Sequence, residues 1–224
     1  MNRYFMIFSK TGYIKYISHL DMLRLFKRAF KRTGIALEFS HGFNPHPKMG
    51  FAQPLSLGYT SLGEYLEFET VEAYDTEDLK KRMQDVLPEG MVISRCSRIE
   101  ENIKSLASLV DACTFKVTFP VRKDSADFDS MLSRYLAQDS IMALKRQKKT
   151  KKMKEVDIRG KIRSVRILPD ELLTLEMNLD SGSNSNLSPE QVISSFNKFA
   201  GLNISRAEIE VERTGFEFLN HPVF

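Results

Sequence analysis

Residues 18–34 read SHLDMLRLFKRAFKRTG, a stretch that carries its own start, stop and sidedness. Ser18 is a good N-cap, and Asp21 three positions on supplies the acidic half of a capping box. Gly34 provides the C-terminal stop. At about 100° per residue, Met22, Leu23, Leu25, Phe26, Ala29 and Phe30 fall on one side and Arg24, Lys27, Arg28, Lys31 and Arg32 on the other. This is a helix that must bury one face against something, and the flanking sequence says what. The run at 4–8 (YFMIF) has strand composition. Thr11-Gly12 marks a turn, 13–17 (YIKYI) alternates as a second strand, and 36–39 reads as a third.

The same rhythm continues outward. A strand is expected at 65–69, a helix at 76–87 closed by Pro88-Glu89-Gly90, and a strand at 91–99. Beyond it come a strand at 112–119, a helix at 125–137, and strands at 141–145 and 155–168 on either side of a basic run. A strand at 172–179, the polar turn 180–187, a helix opened by Ser188-Pro189-Glu190 and a last strand at 204–212 complete the pattern. The expected fold is α+β: two ferredoxin-like (split βαβ) modules side by side, with antiparallel sheets and helices on one face. The first module spans 1–105 and the second 106–224, with a boundary near 100–110.

Bulk properties narrow the function classes. With 42% apolar and 28% charged residues in 224, the chain can bury an ordinary core rather than remain disordered. The N-terminal apolar run is too short for a secretory signal, and no window reaches the roughly 20 apolar residues of a membrane span. Cys96 and Cys113 are not paired as CxxC and read as reduced core thiols. A cytoplasmic location is expected.

Charge is distributed unevenly. Between 145 and 166 stand eleven basic residues: Lys145, Arg146, Lys148, Lys149, Lys151, Lys152, Lys154, Arg159, Lys161, Arg163 and Arg166. Only Glu155 and Asp157 oppose them, so the segment carries +9 while the remaining chain carries −5. A basic hairpin on a mildly acidic protein is the footprint of a polyanion partner, and RNA is the expected one. The cationic face of the 18–34 helix, from Arg24 to Arg32, has no acidic residue between Leu23 and Gly34 and extends the candidate surface.

The segment 41–54 (HGFNPHPKMGFAQP) has three prolines and two glycines in fourteen residues, so neither a helix nor a central strand fits it. Its prolines preorganise His41, Asn44, His46 and Lys48. His41 or His46 are candidate acid–base groups, with Lys48 as a cation for developing negative charge. Phe43 and Phe51 are candidate base-stacking rings. No acid or cysteine is interleaved with the histidines, so no metal site is expected, and no phosphate loop, GxSxG or HExxH motif occurs. No cofactor is expected.

Several stretches together resemble a known family. They are Phe8-Ser9-Lys10-Thr11-Gly12, Tyr16-Ile17-Ser18-His19-Leu20-Asp21, Ser40-His41-Gly42-Phe43-Asn44-Pro45-His46-Pro47-Lys48, Pro54-Leu55-Ser56-Leu57-Gly58 and Lys154-Glu155-Val156-Asp157-Ile158-Arg159. They resemble the radical SAM-linked protein family in its stand-alone form, a domain of unknown function fused to or encoded beside B12-binding radical SAM proteins. The resemblance covers most of the chain. It implies a radical SAM enzyme as partner, one that modifies RNA. It does not imply a cluster here, since no CxxxCxxC is present. By resemblance, Ser18, His19, Asp21, Gly42, Phe43, Asn44, Pro45, His46, Pro47, Lys48, Asp157 and Arg159 become candidate site residues.

Three functions remain open at this level. The first is an RNA-binding accessory protein that presents a tRNA or rRNA to the partner enzyme, using a sheet face flanked by cations. The second is a metal-independent RNA-processing or RNA-modifying enzyme working through the loop histidines. The third is a protein-interaction subunit without RNA contact. Oligomeric state is open.

Overall fold

The computed structural model describes residues 2–100, 103–147 and 150–219, which form a mixed α+β fold with antiparallel sheets. The chain divides into two compact units, Met1–Val110 with Glu217–Phe224, and Asp111–Phe216.

The first unit contains β1 (Asn2–Lys10), α1 (His19–Thr33), β2 (Met49–Phe51), β3 (Thr60–Thr70), α2 (Thr76–Gln84), β4 (Ile93–Arg98) and the short α3 (Leu106–Leu109). Its sheet runs β4-β1-β3-β2, and each neighbouring pair is antiparallel. Alternation along β1 sends Tyr4, Met6 and Phe8 into one core with Phe26 and Phe30 of α1 and Leu79 and Met83 of α2. Both helices therefore cover the same sheet face. Phe8 meets Phe26 edge-on at 4.9 Å and Phe30 lies 4.8 Å from Phe68. Burying each such ring contributes about 1.5–3 kcal/mol. The helix ends are closed locally. Ser18 Oγ accepts from Asp21 N at 3.2 Å, Gly34 sits at φ 70°, and the Asp75 carboxylate accepts from Glu77 N and Asp78 N.

Local pattern and structure part at two places in this unit. Residues 13–17 are not a strand. Gly12 (φ 58°) reverses the chain after β1, and Gly12–Tyr16 forms a 3₁₀ turn, with Ile14 N bonded to Thr11 O and Ile17 N to Ile14 O. Ile14 is buried while Tyr13 and Tyr16 point outward, so the alternation has no sheet behind it. Residues 36–39 make only the isolated bridges Leu37↔Thr70 and Phe39↔Pro47. The place beside β3 is held by Met49–Phe51, inside the proline-rich segment, where an edge position spares its prolines from the ladder.

The second unit is built from α4 (Phe128–Leu136), β6 (Met142–Arg146), β7 (Met153–Asp157), β8 (Ile162–Ile167), β9 (Leu172–Asp180), α5 (Pro189–Phe199) and all but the ends of β5 (Val110–Arg122) and β10 (Glu210–Phe218), Val110 and Glu217–Phe218 being counted with the first. The sheet order is β10-β5-β9-β8, and β6-β7 form a separate two-stranded hairpin. Tyr135 of α4 and Phe119 of β5 both pack on Phe196 of α5, at 5.3 and 6.0 Å. The expected long strand at 155–168 is broken. Asp157 Oδ1 accepts from the backbone N–H groups of Ile141 and Arg159, and a 3₁₀ turn at Arg159–Lys161 separates β7 from β8. The last strand starts later than expected, at Glu210. The Asn197 side chain engages the backbone of Ile204 in both directions and holds the preceding stretch as a loop.

Candidate functional site

α1 places its cations in two groups. Arg24, Arg28 and Arg32 recur every four residues and so form one stripe, about 6 Å apart along the axis. With Tyr16, Leu25, Asp85 and the 86–88 segment after α2 they line an open cleft of about 940 Å³ within the first unit. Arg24 Nη1 lies 2.8 Å from Asp21 Oδ1, and Arg32 Nη1 reaches Val86 O at 3.4 Å. The Asp21 carboxyl is held below its usual range by the Ser18 hydroxyl and then by Arg24. Lys27 and Lys31 are exposed on the neighbouring flank. Tyr13 and Tyr16 are 92% and 62% exposed, and Lys15 Nζ stands 5.3 Å from the Tyr16 ring. Reading 13–17 as a strand hides these two rings from sequence analysis.

A second cluster lies where β1 ends, α1 begins and β3 passes. Lys10, His19 and Glu64 line a cavity of about 20 Å³ with Phe8, Met22, Phe51 and Leu55, room for one water. Lys10 and Glu64 are buried charges, and Lys10 Nζ donates to Ile17 O at 3.1 Å. Burial, and then the Lys10 charge, lowers the His19 pKa. Ser18 is a helix cap and His19 meets the Phe51 ring at 5.4 Å. Sequence reasoning singled out His19 only by resemblance and missed Lys10 and Glu64. A lone lysine and a lone glutamate in strands carry no local sign of burial.

In the 41–54 segment the candidate cation is already paired, and the candidate acid–base imidazoles are exposed. Lys48 Nζ is 2.8 Å from Glu69 Oε2, and that bond raises its pKa. Among the described residues neither the His41 nor the His46 imidazole has a hydrogen-bond partner to orient it. Phe51 also leaves the candidate list of stacking rings, because it packs between Phe8, Phe26 and His19 at 5.8, 5.7 and 5.4 Å. Phe43 stands fully in solvent beside exposed Gly42, Asn44 and Pro45, with Pro47 at the neck of the loop. The sheet face opposite the helices is no open platform either. Phe5 is fully buried there, and Arg3 is tied to Glu67 Oε1 at 2.6 Å and to the carbonyls of Ile103 and Lys104.

In the second unit the basic strip separates by role. Lys145, Arg146, Lys151, Lys152 and Lys154 are exposed on or beside the β6-β7 hairpin. Lys148 and Lys149 lie outside the described residues, as does His221. The other arginines engage partners within the protein. Arg159 Nε donates to Leu136 O at 3.0 Å, and Arg163 holds Asp180 and Asp111 at 2.8 Å each. Arg166 pairs with Glu176 at 2.6 Å, and Lys161 is half-buried. Asp157, bonded by two backbone N–H groups that lower its pKa, locks the base of the hairpin. Among the described residues no group of three or more His, Cys, Asp or Glu side chains is placed to hold a metal ion, and no helix is long and apolar enough to cross a membrane.

The model of a family described as an uncharacterized protein conserved in bacteria (DUF2344) matches residues 3–189. The chain belongs to this family. The match takes in the arginine stripe, the Lys10–His19–Glu64 cavity, the proline-rich loop and the basic hairpin. No curated protein matches the sequence. Among solved structures, a chain in "Crystal Structure of a Cbf5-Nop10-Gar1 Complex" is similar at a TM-score of 0.49 and 10% identity, over 95% of this chain and 48% of that one. This chain therefore spans about half the length of that one.

Proposed function

We propose that this protein binds RNA and presents it, as a tRNA or rRNA segment, to a partner radical SAM modification enzyme. The observation that carries the RNA half is the Arg24–Arg28–Arg32 stripe along an open cleft edged by the exposed Tyr16 ring. Guanidinium groups meet phosphates bidentately, and their repeat along α1 is close to the spacing of successive phosphates in an extended strand. An exposed aromatic beside them offers a face for a base. The exposed hairpin cations Lys145, Lys151, Lys152 and Lys154 supply further phosphate contacts.

The sheet orders β4-β1-β3-β2 and β10-β5-β9-β8 support reading each unit as ferredoxin-like, a fold that hosts RNA binding among many other functions. The partner half rests on the family resemblance of the SKTG, YISHLD and GFNPHPK stretches. It is also supported by Met142, Leu144 and Met153, which are exposed on a single face of the β6-β7 hairpin.

A salt titration of binding to total cellular RNA tests the reading. A strand held through about five phosphates has a log–log slope near −3.5, at about −0.7 per phosphate. Replacing Arg24, Arg28 and Arg32 by Glu removes about 2 of that slope. Weak, salt-insensitive binding by both proteins would sink the RNA reading. The partner half is tested separately by affinity purification of the tagged chain under anaerobic conditions. If RNA is bound but no iron-rich protein accompanies it, the delivery role falls and RNA binding stands.

A further inference from the structure

Phe43 is the most exposed large apolar side chain among the described residues, with nothing covering its ring. The backbone beneath it is held. Ser40 N donates to His46 O at 2.8 Å, His46 N donates back to Ser40 Oγ at 3.0 Å, and Lys48 N donates to Glu38 O at 2.7 Å. The Phe39↔Pro47 bridge continues this neck. Above it, Pro45 and Pro47 restrict φ, and Gly42 takes φ 127°, a conformation that side chains other than glycine's rarely adopt. The ring is thus presented on a preorganised stalk, which lowers the ordering cost of binding.

The neighbours of the ring indicate what it meets. From Ser40 to Lys48 there is no carboxylate, and His41, Asn44 and His46 are exposed with hydrogen-bonding atoms to offer. Besides Phe43, the exposed apolar residues here are Pro45 and, at the neck, the half-exposed Phe39, less apolar surface than a membrane-inserting or protein-docking tip presents. One aromatic face among polar, cation-capable groups suits a single unpaired nucleobase: the ring stacks, while amide and imidazole groups reach base edges or the flanking phosphate.

We propose that Phe43 is a stacking platform for one unpaired base of the bound RNA, with Asn44, His41 and His46 around it. This rests on the RNA-binding reading above and names the part of the RNA that the loop takes.

The chain contains no tryptophan, so Phe43→Trp introduces a sole indole reporter at the tip. The probes are a short single-stranded RNA of mixed bases and the same strand built from abasic sugars. The expected result is quenching of the indole by the base-bearing strand and not by the abasic one. Phe43→Ala weakens binding of the base-bearing strand about ten-fold or more and leaves the abasic strand unchanged, while Phe43→Trp keeps wild-type affinity. An unchanged melting temperature for Phe43→Ala excludes a folding defect. If Phe43→Ala binds RNA like the wild type while the Arg24/Arg28/Arg32 variant does not, stacking is overturned and the RNA reading survives. If the wild type binds neither strand, both are overturned. Quenching or blue-shifted emission with anionic vesicles but not with RNA also overturns stacking.

Discussion

Lys145 on β6 stands directly opposite Lys154 on β7, two exposed cations in one cross-strand pair. The adjacent pair, Ala143 and Val156, shares that face and is partly or fully buried, so the lysines extend an otherwise apolar ladder outward. Like charges directly across a ladder destabilise it by a few tenths to about 1 kcal/mol, and a two-stranded hairpin has little stability to spare. Lys154→Glu is therefore expected to stabilise the hairpin by about 0.5 kcal/mol at low salt. Amide hydrogen exchange across β6 and β7 measures this. The same change is expected to weaken RNA binding, so opposite signs for stability and affinity mark an anion-binding pair.

Arg163 was a candidate phosphate contact by charge alone, but it bridges Asp111 and Asp180. Its guanidinium is held firmly in the charged form, first by Asp180 and then by Asp111. Arg163→Met should cost about 1–2 kcal/mol of stability, discounted for its partial exposure. It should leave the salt slope of RNA binding unchanged. Urea denaturation and a salt titration of the same variant check the two halves.

Gly90 closes the first unit against the turn after β1. Its carbonyl accepts from Thr11 N at 2.9 Å and from Thr11 Oγ1 at 3.1 Å. With φ at 86°, an added Cβ would come within 2.5 Å of Thr11 O. Gly90→Ala should lose about 2 kcal/mol or more, a melting-temperature drop of several degrees. Gly201→Ala, also at positive φ but with open space around it, should lose only about 1 kcal/mol.

His19 links stability to pH. Burial and the nearby Lys10 hold its pKa below the ordinary value of 6.5 in the folded state. The unfolded chain thus takes up this proton more readily. The contribution of neutral His19 is complete above about 6.5 and is lost as pH falls through that value toward the lowered native one. The urea midpoint should drop between about pH 7.5 and pH 5.5, and His19→Gln should flatten that drop. An equal drop in the variant would place the effect elsewhere.

Burial pushes the Cys96 thiol up to about 12, and Cys113 is fully buried. Both should resist a thiol reagent at about pH 8 in the folded protein and react fully in denaturant. Rapid labelling of either in native conditions would show local opening of its strand.

The extent to which the chain can be read from its sequence differs between elements. α1 is legible because everything that defines it is local. Ser18 bonds three residues ahead, Gly34 needs only its own φ, and the apolar positions repeat at the helical period. Residues 13–17 alternate as well, but a strand exists only if another strand accepts its hydrogen bonds, and none lies there. The cations show the same division. Composition locates the basic run, yet it cannot separate Lys145 or Lys152, which face water, from Arg163, whose partner Asp111 is 52 residues away in sequence.

By itself, then, the sequence determined the mixed α+β character, α1 with its caps, the proline-rich segment and the concentration of positive charge. Only the tertiary structure decided that Lys48 belongs to Glu69, that Lys10 and Glu64 are buried beside His19, and that Arg24, Arg28 and Arg32 edge a cleft with Tyr16. The physical reason is range. Propensity and periodicity act over one or two turns, whereas burial and ion pairing are set by whichever distant segment the fold brings within a few ångströms.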